Sequence, residues 1–127
     1  MTRCGGVLKI ALRLLTRCCV ILLAVLSLVP GQEMVRTDLP GQFEHFIAYA
    51  GSAAIRTAGY GRSRGSLPII GGFWVYAGVL EYLQHFSPGR HPSIADFVAS
   101  ALGAFFGGVV GAFLVRRLWK GAYSDVV

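Results

Sequence analysis

An all-α transmembrane bundle of four helices, with both termini on the cytoplasmic side (N-in/C-in), is the architecture this sequence predicts. Three observations carry it. The chain has 127 residues, of which 54% are hydrophobic and only 14% charged, with a mean hydropathy of +0.60; a soluble domain carries about 25% charged residues. The apolar residues gather into four runs separated by breaks rich in proline, glycine and polar residues. Finally, Arg3, Lys9, Arg13, Arg17, Arg56, Arg62, Arg64, Arg116, Arg117 and Lys120 flank one end of those runs, leaving only Arg36 and Arg90 at the other. Excess Lys and Arg marks cytoplasmic ends, so the positive side is inside.

The first run covers residues 11–29 and stops at Pro30-Gly31. A span needs about 20 residues, so Arg13 and Arg17 belong to its inner end, with their heads reaching toward the interface. A basic start and a short apolar core also describe a secretory signal. The stretch Leu26-Ser27-Leu28-Val29-Pro30 has no good small-x-small cleavage site, which favours a retained helix. The second run, 43–58, is rich in alanine, glycine and serine, with Glu44 and His45 at its start. The third, 67–86, has Pro68 in the first turn, where a proline is tolerated. The fourth, 94–118, repeats Gly103, Gly107 and Gly111 on the face that carries Asp96 and Ser100, the small-xxx-small spacing of closely packed membrane helices. Connections of about twelve, eight and six residues suit antiparallel neighbours.

These boundaries divide the chain into a basic cytoplasmic segment (1–10), a transmembrane domain (11–118) and a cytoplasmic tail (119–127). The net charge of +6 sits at the ends of apolar runs and not on a soluble face, so nucleic acid is excluded as a partner. Cys4, Cys18 and Cys19 form no metal-ligand spacing, and no metal or cofactor is implied. No phosphate loop or Ser-His-acid pattern occurs. The composition implies membrane lipids as partners and is compatible with a homo-oligomer.

Polar chemistry concentrates in residues 81–107. Glu81, Gln84 and His85 stand at i, i+3 and i+4 on one helix face. Ser87-Pro88-Gly89-Arg90-His91-Pro92 breaks the helix, and Ser93-x-x-Asp96 is a capping-box pattern that restarts one. With the inferred topology, His45, Glu81, Gln84, Arg90 and Asp96 fall in one outward layer and form the candidate polar pocket, with Glu44 and Ser100 as secondary members. Glu81 is the sharpest of them, because an acid inside a span is costly. It is a binding or proton-carrying carboxylate, or else the partner of Arg90 in a structural lock. Capping by itself accounts for Asp96. His45 and Glu81 could perform acid–base chemistry if they faced a common point, whereas His85 and His91 read as interfacial. Whether the chain is an enzyme stays open at this level.

At these residues the chain resembles the VanZ-like family of small bacterial membrane proteins. The resemblance lies in Glu81-x-x-Gln84-x-Phe86-x-Pro88-Gly89-Arg90, followed by Asp96, Gly103 and Gly107, with Glu44-His45-Phe46-x-x-Tyr49 upstream. It covers roughly residues 26–114. The chain departs from the family at Gly41-Gln42, where an Asp-Lys pair is usual, and at Ser100, where the family usually has asparagine. The resemblance implies a multi-pass protein of the bacterial inner membrane in a cell-envelope context linked to teicoplanin resistance. Its partner there would be a lipid, a lipid-linked envelope precursor or a glycopeptide headgroup. It implies no particular reaction.

Overall fold

The computed structural model describes the backbone of residues 2–33 and 38–124, and the side chains of residues 6–32, 38–60 and 65–117. Four helices make up the fold: α1 (Thr2–Leu28), α2 (Gly41–Arg64), α3 (Leu67–Leu83) and α4 (Ile94–Ser124), with short 3-10 turns at Gly31–Glu33 and Gln84–Phe86. The all-α, four-helix expectation holds. The helices run past the apolar segments that mark them in the sequence. The basic first ten residues continue into α1, and α4 extends through most of the expected tail.

The largest difference is in α2, which continues to Arg64 and leaves only Gly65 and Ser66 before α3. The sequence suggests a link of about eight residues there. Gly65 explains the abrupt turn: its φ of +74° is the left-handed conformation that terminates helices and that glycine alone adopts without cost. Pro68 sits in the first turn of α3, as expected.

Each helix packs antiparallel to the next, so α2 and α4 run parallel, and they share the tightest seam. A Cβ on Gly103 would collide with the carbonyl of Phe46, and one on Gly107 with that of Ala50. At Gly111 it would meet the Ala54 carbonyl at 3.0 Å. Phe46, Ala50 and Ala54 therefore lie against Gly103, Gly107 and Gly111 in matched steps of four, backbone on backbone. The Trp74 indole N–H donates to the Ala101 carbonyl at 2.9 Å and pins α3 to α4. The Tyr76 hydroxyl donates to the Val20 carbonyl and ties α3 to α1.

The core is small: Leu23, Tyr49, Ala53, Ile69, Phe73, Ala77, Leu80 and Ala104. Most of the apolar surface faces outward, including Ile94 at 83% exposure and Val75 at 69%. Buried hydroxyls fold back onto their own helices, Thr16 donating to the Leu12 carbonyl and Ser52 to that of Ala48, each at 2.8 Å. That habit satisfies both hydroxyls within their own helix, whereas the buried Thr57 hydroxyl has no hydrogen-bond partner among the described residues. Two stretches, Gly6–Leu28 and Ile94–Arg117, are long and apolar enough to cross a membrane. Only 17% and 39% of their apolar windows are buried within the protein.

Candidate functional site

The connection from α3 to α4 is built as a turn that reaches back to α1. Ser87 accepts a hydrogen bond at its carbonyl from the Arg90 N–H at 3.2 Å. Gly89 between them has a φ of +74°, so Ser87-Pro88-Gly89-Arg90 has the proline and glycine positions of a type II turn. Held this way, the turn meets the C-terminal carbonyls of α1. The Ser87 hydroxyl donates to Leu28 O at 2.8 Å. Arg90 Nε donates to Val29 O at 2.9 Å, and its Nη2 donates to Leu26 O. In return the Gly31 N–H donates to Pro88 O at 2.9 Å. Helix C-termini carry partial negative charge and unpaired carbonyls, and a guanidinium satisfies both needs at once. The backbones touch so closely that a Cβ on Gly31 would overlap the Gly89 carbonyl.

Arg90 is therefore committed to α1. Among the described residues no ion pair joins it to Glu81, so the lock raised as one reading of that pair takes a different form. Glu81 Oε1 accepts the Ser93 N–H at 2.8 Å. This is the bond a capping box would assign to Asp96. The carboxylate of α3 takes it instead, and the Asp96 carboxylate makes no hydrogen bond among the described residues. Asp96 still stands in the first turn of α4, where the helix dipole favours an acid.

His45 belongs to a separate unit. Its Nδ1 lies 3.1 Å from Ser100 Oγ, and the Ser100 hydroxyl donates to the Asp96 carbonyl at 2.9 Å. A hydroxyl has one proton. With that proton directed at Asp96 O, Nδ1 of His45 carries the donor hydrogen, and Nε2 is the basic position. This chain links α2 to α4 just above the glycine seam. Gln84 points inward at 3% exposure, continuing the buried stripe of Phe73, Ala77 and Leu80. Glu44 lies in the first turn of α2.

Of the five residues proposed for a common pocket, Glu81 lines a cleft at this end. It borders a lateral cleft of about 480 Å³ between the end of α3 and the start of α4, together with Tyr82, His85, Ser93, Ile94 and Phe97. One carboxylate oxygen holds the Ser93 N–H; the other carries no described partner. His85 Nδ1 donates to the Tyr82 carbonyl at 2.9 Å, since a carbonyl can only accept, so Nε2 is the acceptor of the neutral ring. Tyr82 stacks obliquely on His85 and edge-on to Phe86, with centroids 5.7 and 6.0 Å apart. The cleft thus has a polar rim of carboxylate, imidazole and phenol and an apolar side formed by Ile94 and Phe97. The sequence reads His85 as interfacial and gives Tyr82 no site role; the structure puts both on the lining of this cleft. The four-residue spacing of Glu81 and His85 was the available signal, and it places both on the cleft while Gln84 turns to the core.

Among the described residues no His, Cys, Asp or Glu cluster could hold a metal ion. No protein-family model, curated protein or solved structure matches the chain.

Proposed function

We infer that this chain is a four-pass, N-in/C-in protein of the bacterial inner membrane, akin to the VanZ-like proteins, that holds a lipid or lipid-linked headgroup in the cleft beside Glu81. The observation that carries the reading is the shape and chemistry of that cleft. Its polar rim and apolar side match an amphiphile lying against the helices, with Glu81 and His85 as acceptors for headgroup hydroxyl or ammonium protons. The outward apolar faces of α1 and α4 support a lipid surrounding, because a helix at the core of a soluble protein is mostly covered.

The test is photocrosslinking in proteoliposomes with a diazirine-bearing phosphatidylethanolamine. Crosslinks concentrate at residues 82–97, and Glu81→Gln lowers them several-fold without unfolding the protein. Crosslinks spread evenly over all outward helix faces would defeat the reading. The VanZ-like context has its own check: expression of the chain in a teicoplanin-sensitive host raises tolerance, and an unchanged inhibitory concentration counts against it.

A second reading is favoured by the turn itself. Arg90, Ser87 and Glu81 all bond to main chain, which is what a purely structural scaffold needs. In that case Glu81→Gln changes thermal stability and leaves crosslinking where it was.

A further inference from the structure

The opposite end of the bundle holds a second cluster, where α1 meets α2. The Tyr60 ring is shared by two guanidinium groups. Arg13 Cζ is 4.7 Å from its centroid and Arg56 Cζ is 4.9 Å away. Arg13 Nε also donates to the Gly59 carbonyl at 3.3 Å. The shared ring keeps the two cations within about 10 Å of each other, close enough to repel appreciably beside an apolar medium.

The chain has little with which to neutralise them. Of its six acids, Glu33, Asp38, Glu44, Glu81 and Asp96 belong to the far end. Asp125 is the sixth and lies outside the described residues. Among the described residues neither guanidinium reaches a carboxylate. Depth agrees between the two helices: Arg13 precedes Leu28, and Arg56 follows Gly41, by about 22 Å of helix each. Against a hydrocarbon core of about 30 Å, both heads lie within reach of the phosphate layer. Arg56 further borders a cleft of about 270 Å³ lined by Val20, Pro68, Ile69, Phe73 and Tyr76, an apolar trough beneath a cation.

We propose that Arg13, Tyr60 and Arg56 bind the phosphodiester of an anionic phospholipid from the leaflet at this end, with an acyl chain in the trough beside Val20, Phe73 and Tyr76. Guanidinium forks match phosphate oxygens. The shared ring holds both forks beside one point where an anion can be received. The proposal rests on the helices crossing a bilayer; it does not depend on the cleft at Glu81.

The experiment is native mass spectrometry of the full chain in mild detergent, titrated with phosphatidylglycerol or phosphatidylcholine. Phosphatidylglycerol binds about tenfold more tightly, and Arg13→Gln with Arg56→Gln removes that preference, as loss of charge-assisted hydrogen bonds of this kind should. Arg13→Lys with Arg56→Lys retains part of it. If the double glutamine variant does not fold, Arg56→Gln alone decides, with a several-fold loss expected. Arg13→Gln with Arg56→Gln leaves photocrosslinking at residues 82–97 unchanged, which separates this site from the cleft beside Glu81. Equal binding of the two lipids, or an unchanged preference in the glutamine variants, overturns the proposal. Displacement of the lipid by millimolar inorganic phosphate also overturns it, assigning the cluster to a free anion. Release of the chain from membranes by alkaline carbonate would overturn the membrane reading itself.

Discussion

At the end where α3 turns into α4, charged side chains engage the main chain. Arg90 closes the C-terminus of α1 and Glu81 caps the start of α4. At the other end, Arg13 and Arg56 share one aromatic ring, and among the described residues their bond to main chain is a single long one, from Arg13 Nε to the Gly59 carbonyl at 3.3 Å. The difference teaches where this fold spends its polar groups on itself and where it keeps them for a partner. A half-buried guanidinium whose hydrogen bonds go to helix carbonyls is part of the scaffold. A pair of cations held together over one ring, far from most of the chain's acids, is suited to an outside anion. The same comparison divides the first end internally: Arg90 and Ser87 work inward toward α1, while Glu81 and His85 face the lateral cleft.

The glycine seam that spans both ends offers the strongest perturbation. Gly107→Ala should cost about 3 kcal/mol or more, because the added methyl meets the Ala50 backbone and no side chain can yield. Thermal unfolding in detergent measures it, and a near-neutral result would mean that α2 and α4 stand further apart than described. Next comes Arg90→Ala, which strands the Leu26 and Val29 carbonyls and should cost about 2–4 kcal/mol. Arg90→Lys keeps the charge without the fork and should recover only part of that. Ser100→Ala removes one link of the His45 chain and should cost about 1 kcal/mol. The smallest effect belongs to the other end: Arg13→Gln with Arg56→Gln should change stability by about 1 kcal/mol or less. If that variant unfolded as readily as Arg90→Ala, the two ends would not differ in kind.

Much of this was legible in the sequence, and what was not has a common cause. The four helices, the turn at Pro88-Gly89 and the seam of Gly103, Gly107 and Gly111 are written in local spacing, which a reader can count. Arg90 was harder, since the obvious partner for a lone guanidinium is a carboxylate. Its partners are carbonyls of α1, about sixty residues away, and main-chain acceptors carry no sequence signature. The capping box pointed to the right N–H but the wrong acid, because Glu81 reaches Ser93 from a neighbouring helix. α2 outran its apolar run because helical hydrogen bonding does not stop where hydrophobicity does; Gly65 stops it. Arg13 and Arg56 meet at Tyr60 only once the antiparallel register of α1 and α2 is known.

The central claim is that the acid-bearing turn and the arginine-bearing end lie on opposite sides of a membrane, the first outside and the second in the cytoplasm. Cysteine labelling in intact cells tests it most directly, in a background with Cys4, Cys18 and Cys19 replaced by serine. His91→Cys should react with a membrane-impermeant maleimide in intact cells, and Ser66→Cys only after permeabilisation. The reverse pattern, or reaction of both positions in intact cells, would contradict the account.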